Sequence, residues 1–296
     1  MPSPAIRCLA TTLDVCGEGC VWHPQQNAVF WTDINRGLLH RHSLDNGAIE
    51  TWGFDQPVTA VILTTIDAVL VLVLGGSIVV WDTRTRQIID VLFRLPEWPA
   101  VRCNDARVDP AGVLWFGTMQ NNVRSDGTTS DVTEWRGALY SLIPGDEPRQ
   151  WHSGFGIANT LAWSPDGEAM YFGDTLANCI YRGSFDPVSS RLEGREIFFT
   201  GFSRGLPDGS TMDAEGHLWN CRYGGSCIVR VAPDGSVADI IETPVNNPTT
   251  CAFASADANI LLFTSAASTT PPNQTEGSLY SLQTSVRGLL STPLHL

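Results

Sequence analysis

The chain predicts an all-β fold, a six-bladed β-propeller, on three observations. A phrase of apolar strand, Asp/Pro/Gly turn and aromatic-bearing strand recurs along its 296 residues. The markers of that phrase return every 40 to 56 residues. No stretch carries the 3.6-residue apolar period of a long amphipathic helix. Four short strands in every 40–50 residues or so is the spacing of propeller blades.

The first copy is CVWHPQQNAVFWTDI, marked by Trp31. The second is degenerate: AVILTTIDAVLVLVL has Val71 in the marker's place, and its two apolar runs read as buried strands joined by a turn at Thr64 to Asp67. ARVDPAGVLWFGTM, LAWSPDGEAMYFGDT, STMDAEGHLWNCRY and CAFASADANILLFTSA follow, marked by Trp115, Tyr171, Trp219 and Phe263. From 31 through 71, 115, 171, 219 and 263 the steps are 40, 44, 56, 48 and 44 residues. GALYSLIP, NCIYRGSF and CIVRVAPDG supply closing strands. The copies cover the chain, which predicts one domain over 1–296. The terminal segments, near 1–15 and 277–296, are expected to complete one blade together and close the ring.

The composition, 43% apolar and 17% charged, supports a large buried core. A net charge of −13 and a pI of about 4.7 repel phosphate backbones, so nucleic acid is excluded as a partner, while clustered acids would attract a cation. The eight cysteines form no CxxC pair and read as mostly buried free thiols. The N-terminus lacks a basic start followed by a long apolar run, and the most apolar stretch, 60–76, is interrupted by Asp67 and two threonines. No membrane association and a cytoplasmic location are the expectations, with a monomer or small homo-oligomer.

The innermost strand of each blade lines a central channel, so residues at one phase of the repeat converge though far apart in sequence. Stepping back 11 to 13 residues from the markers gives Glu18, Thr59, Asn104, Asn159, Asp208 and Thr250, with Thr249 one residue further. Each is polar between apolar strand residues. Two carboxylates and two carboxamides make an oxygen-only donor ring, which suits a hard or borderline divalent cation such as Ca²⁺, Mg²⁺ or Mn²⁺. Asn and Asp also favour turns before strands, but that local reason does not account for four oxygen donors in phase, Glu18 among them.

The phrases GEGCVW, RCNDARVDPAGVLWFGTM, GIANTLAWSPDGEAMYFGDT and LPDGSTMDAEGHLWNCRYGGSCIVRVAPDG, with the weaker NNPTTCAFAS, resemble the gluconolactonase / senescence marker protein / regucalcin family of sugar lactonases. The resemblance implies a six-bladed propeller with one catalytic divalent cation, taken in different members as calcium, zinc, manganese, magnesium or ferrous iron. It implies metal ligation by Glu18, Asn159 and Asp208. It also places Asn104 beside the metal and makes Arg102, with Asn104, a substrate contact. Three departures stand out. Gly19-Cys20 replaces the family's frequent Gly-Pro, Thr160 replaces a frequent Gly, and Gln120, Asn121 and Asn122 stand where some members carry an acidic residue that meets substrate. Asn121 and Asn122 are therefore taken as substrate-binding positions.

The expected activity is hydrolysis of sugar (aldono) lactones such as glucono-, xylono- or arabinonolactone, with Asp208 as general base as well as ligand. Two other readings stay open: an organophosphate or ester hydrolase of the same propeller type, and a non-catalytic calcium-binding propeller. No G-x-S-x-G elbow, H-E-x-x-H pair or dinucleotide fingerprint occurs. Asp33 and Asp174, just after their markers, read as strand-end turn residues rather than a second metal site. His23 and His217 read as solvent-exposed, and Trp98 and Trp135 as candidate substrate-loop residues.

Overall fold

The structure, a computed structural model, describes residues 5–267 and 275–296. Six four-stranded antiparallel sheets account for it. Among the described residues none is helical, and no helix is long and apolar enough to cross a membrane. Blades 1 to 5 are consecutive meanders over residues 17–53, 58–94, 101–155, 158–200 and 206–242. The sixth runs β22 (Asn247–Ala254), β23 (Ile260–Ala266), β24 (Ser278–Gln283) and then β1 (Ile6–Thr11), so the N-terminal strand closes the ring against β24. Cysteines are free throughout, most of them buried.

The expected closure therefore holds for 6–11 and 278–283 but not for the tail. Residues 284–296 leave the blade and cross the far end of the ring. Gly288 N–H donates to the Ala258 carbonyl, Leu289 N–H to Met212 and Leu294 N–H to Leu63. Leu294 is fully buried in the core shared by blades 2 and 3. Gly288 lies so close to Phe253 that an added Cβ would fall 1.8 Å from its ring.

The inner strands are β2 (Gly17–His23), β6 (Val58–Leu63), β10 (Val101–Val108), β14 (Ala158–Trp163), β18 (Leu206–Met212) and β22. Each packs on its two neighbours round the ring. All six break register at the same level: between Glu18 and Val21, Val58 and Ala60, Cys103 and Ala106, Asn159 and Leu161, Pro207 and Ser210, and Pro248 and Cys251. A bulge puts two residues opposite one and re-aims a side chain out of the strict alternation. The polar phase of the repeat coincides with these bulges.

The marker aromatics belong to the second strand of each blade and are buried. Three tryptophans are clamped by an aspartate. Trp31 Nε1 donates to Asp14 Oδ2, Trp115 Nε1 to Asp109 Oδ2 and Trp219 Nε1 to Asp213 Oδ2, each at 2.9 Å. In the two D-x-x-G turns the other carboxylate oxygen accepts the N–H groups of Ala111 and Val113, and of Glu215 and His217. One aspartate thus closes the hairpin turn and satisfies a buried indole. His23, expected at the surface, is 3% exposed: its Nε2 contacts the Asp67 carbonyl at 3.0 Å, tying blade 1 to blade 2. His217 is only partly covered.

Candidate active site

The bulges deliver Glu18 from β2, Asn104 and Asp105 from β10, Asn159 from β14 and Asp208 from β18 to the channel. Asn159 Nδ2 donates to Asp208 Oδ1, so the two are in direct contact. Glu18 and Asp208 are near enough that the charge of Asp208 raises the Glu18 pKa. Asn104 Nδ2 donates to the Ala158 carbonyl at 3.0 Å, and its Oδ1 accepts Arg102 Nη1 at 2.7 Å. The remaining ring positions serve the scaffold. Thr59 Oγ1 donates to the Val73 carbonyl at 3.2 Å, Thr249 Oγ1 bonds the Gly17 carbonyl, and Thr250 Oγ1 accepts Arg107 Nη2 at 3.0 Å.

Two residues missed in the sequence complete the channel. Asp105 is 7% exposed and its Oδ2 has no hydrogen-bond partner. Arg107 starts in blade 3 and reaches Thr250 in the opposite blade 6, with Nη1 3.9 Å from the Asp105 carboxylate. The available signal was an alternating N-D-A-R inside an inner strand, where strict pleating would have sent only every second residue inward.

The strand-end aspartates hold the loops that lead to Glu18 and Asn159. Asp33 accepts the N–H groups of Val15 and Cys16, and Asp174 those of Gly156 and Ile157. Each also caps its own turn through the N–H groups of the following residues. The turn reading of this pair is the one the contacts support. Thr160, next to Asn159, has φ 54°, a backbone region costly for a β-branched residue. Its Oγ1 donates to the Asp208 carbonyl at 2.6 Å, which ties the strands that carry Asn159 and Asp208 together.

Burial and crowding set the electrostatics. Burial, then the charges of Asp208 and Asp105, hold the Glu18 carboxyl well above the usual range; the Gly19 N–H and Arg107 oppose the rise. Burial, with Asp105 adding, pushes Asp208 up to about 8 against the hydrogen bonds of Asn159 and Gly209 and the charge of Arg102. Burial also raises Asp105. Three carboxylates, those of Glu18, Asp105 and Asp208, thus gather near the guanidiniums of Arg102 and Arg107. An oxygen-rich, over-acidic cluster with an orphaned carboxylate oxygen fits a divalent cation.

Arg102 is buried, and burial lowers its pKa to about 10 although Cys16, Cys103, Glu18 and Asp208 pull the other way. Asn122 stands beside it, its Oδ1 accepting Arg102 Nε at 3.2 Å and Nη2 at 3.0 Å. Asn121 is not brought into the cluster. Its Nδ2 donates to the Pro99 carbonyl at 3.0 Å and its Oδ1 accepts the Val123 N–H at 3.1 Å, so it closes its own loop. Trp98 lies over Gly75 and Gly76, where an added Cβ would meet its ring at 2.6 and 2.5 Å, while Trp135 is exposed. A separate acidic group, Asp213, Glu215 and His217, lies in the blade 5 turn. Arg230 fills it, donating to Asp213 at 2.8 Å and to Glu215 at 2.6 Å.

The chain is 32% identical to pentonolactonase XacC of Haloferax volcanii over 84% of this chain and 81% of that protein. It is 30% identical to L-arabinolactonase of Azospirillum brasilense, over 85% of this chain and 82% of that one. A crystal structure of a calcium-binding protein, regucalcin, from Agrobacterium tumefaciens superposes with a TM-score of 0.89 at 29% identity, covering 98% of this chain and 97% of that one. The family described as SMP-30/gluconolactonase/LRE-like region matches residues 16–267, and the chain belongs to it.

Proposed function

We propose that the protein hydrolyses sugar lactones to sugar acids, with one divalent cation held by Glu18, Asn159 and Asp208. The observation that carries this reading is the convergence of those three side chains from three blades beside Arg102 and Asn104. The lactonase names of relatives along most of the chain support it. Oxygen-only ligation favours calcium, magnesium or manganese.

A cation bound there supplies Lewis acidity to the lactone carbonyl and stabilises the charge that develops on its oxygen. The chain's own residues do the rest. The Asp208 carboxylate, steadied by Asn159 Nδ2 and the Gly209 N–H, takes a proton from the attacking water. The water oxygen bonds the acyl carbon, the bond from that carbon to the ring oxygen breaks, and the proton held on Asp208 passes to the ring oxygen, which departs as the sugar hydroxyl. Arg102 and Asn104 each keep one N–H beyond their internal bonds, and those donors orient substrate oxygens. Thr160 and the aspartates at 33 and 174 keep the ligand loops in place. All eight cysteines are free, which supports a reducing, cytoplasmic setting.

The test is a pH-stat panel of aldonolactones on metal-stripped protein, with each divalent cation restored in turn. Turnover should return with a cation, and Asp208→Ala and Glu18→Gln should abolish it. Near-wild-type turnover in either variant with added metal rejects this site, and activity on an organophosphate with none on any lactone replaces the reading.

A further inference from the structure

We infer that a cleft beside the channel mouth, lined by Trp98, is a glycosyl subsite, and that the preferred substrate is a lactone carrying a second, neutral sugar unit. The inference rests on the lactonase reading above and deepens it by naming what extends the substrate. The cleft, about 330 Å³, opens between the blade 1 turn at 35–37, the 54–57 connection into β6, the 98–99 segment and the loop at 121–127. That volume lies at the lower end of the range for small-ligand pockets, about 300–1,000 Å³. Asn122 separates it from the channel: its neighbours Asn121 and Val123 line the cleft, while its own Oδ1 accepts from Arg102. A group joined to a lactone in the channel therefore has one side chain to cross.

Trp98 lies on the Gly75-Gly76 turn. A Cβ on Gly75 would meet its Cζ3 and Cη2 at 2.6 and 2.9 Å, and one on Gly76 its Cγ and Cδ2 at 2.5 and 2.7 Å. Both ends of the indole thus rest on glycine, and the uncovered part lines the cleft. Its Nε1 is neither hydrogen-bonded among the described residues nor sealed from solvent. Such an indole offers an apolar face to the C–H side of a sugar ring and an N–H to a hydroxyl. Gln56 Oε1 accepts the Gly76 N–H at 2.8 Å, which fixes the amide and leaves both Nε2 hydrogens to a ligand. The exposed carboxylate of Asp55, next to it, supplies acceptors, so neighbouring hydroxyls find both kinds of partner. The charges of the cleft select no ion: Arg36 is held by Asp14 and Asp33, and Asp55 and Arg124 contribute one of each sign. The loop wall is preset, with Asn121 Nδ2 donating to the Pro99 carbonyl at 3.0 Å and Asn35 Nδ2 to the Gly127 carbonyl at 2.8 Å. A ligand there does not bear the cost of ordering it.

The experiment compares kcat/KM for glucono-1,5-lactone with that for its 4-O- and 6-O-glucosyl derivatives, cellobiono-, maltobiono- and gentiobiono-1,5-lactone, on the cation-loaded protein. At least one derivative should exceed the parent about 10-fold, chiefly through KM, the gain expected of one ring contact and one hydrogen bond. Ser125→Phe, at an exposed position on the loop wall, fills the cleft and should bring the ratio back to about unity. Trp98→Leu keeps an apolar cover on the glycines, removes the ring and should do the same. Calorimetry with cellobionate, maltobionate and gentiobionate against gluconate adds a binding arm free of turnover, and cellobiose, maltose and gentiobiose separate a linked sugar from a loose one. No derivative turned over faster than the parent, or a preference that survives both variants, overturns the inference while leaving the lactonase reading intact. Binding of a free disaccharide without that preference also overturns it. If no lactone is hydrolysed but an aldobionate still binds more tightly than gluconate, and Ser125→Phe erases the difference, the subsite stands and the lactonase reading falls.

Discussion

Thr160 shows how one residue can carry two opposed effects. Its φ of 54° disfavours a β-branched side chain, yet its hydroxyl bonds the carbonyl of Asp208 at 2.6 Å and contacts Ser210 at 3.2 Å. Thr160→Ala keeps the unfavourable backbone and deletes the buried bonds. It should cost about 1–2 kcal/mol in chemical unfolding; an unchanged midpoint would show that the hydroxyl does not offset the strain. Asp208 is the other decisive residue at this scale. Its proton affinity is high because it is buried near Asp105, and direct contact with Asn159 only partly relieves that. On the proposed reading a cation displaces the proton that Asp208 holds, and the crowding that raises Glu18 adds to the demand. Loading a divalent cation at pH 7 should release on the order of one proton per ion, measured in weakly buffered calorimetry; binding without release would mean that the carboxylates were already ionised.

At the scale of elements, the repeating bulge explains more than the repeating phrase. Period-2 pleating alone would alternate channel and blade-core faces, so Asn104 and Asp105 could not both reach the channel region. The shift between Cys103 and Ala106 lets them do so. The tail is the second instructive element. Its backbone joins the bottoms of blades 6, 5 and 2, and Leu294 fills the core between blades 2 and 3 at the end of the inner strands remote from Glu18 and Asp208. Leu294→Ala should destabilise by about 2–4 kcal/mol through the cavity it leaves, with kcat/KM unchanged. A loss of activity at full folding would show that the tail reaches the site.

For the whole molecule, the acidic channel makes stability depend on pH and metal together. The carboxyl groups of Glu18 and Asp208 have raised pKa values in the fold, so their contribution is full below the unfolded value of about 4 and is lost as pH rises, for Asp208 through about 8. The exposed aspartates whose pKa values are lowered, such as Asp166 and Asp234, act below pH 4 and leave the window from 7 to 9 undisturbed. The metal-free protein should therefore melt lower at pH 9 than at pH 7, and saturating cation should reduce that difference by binding the ionised cluster. A metal-free melting temperature that rises across this window would exclude carboxylate crowding as the source.

Blade number, the polar ring and the family likeness were legible in the residues, because each blade is a local meander whose strands, turns and aromatic markers lie within a few tens of positions. Glu18, Asn104, Asn159 and Asp208 could be picked out by counting back from Trp31, Trp115, Tyr171 and Trp219. The Asp-Trp clamp was hidden in plain turn residues, since D-P-A-G serves a turn whether or not an indole sits beneath it. Only the tertiary structure decided that Arg107 spans to Thr250 across a separation of 143 residues, that Asn122 rather than Asn121 grips Arg102, and that residues 284–296 leave their blade. Such contacts depend on bulges that break the pleat and on ring closure that juxtaposes distant blades. Neither carries a period along the chain, so no repeat in the sequence announces them.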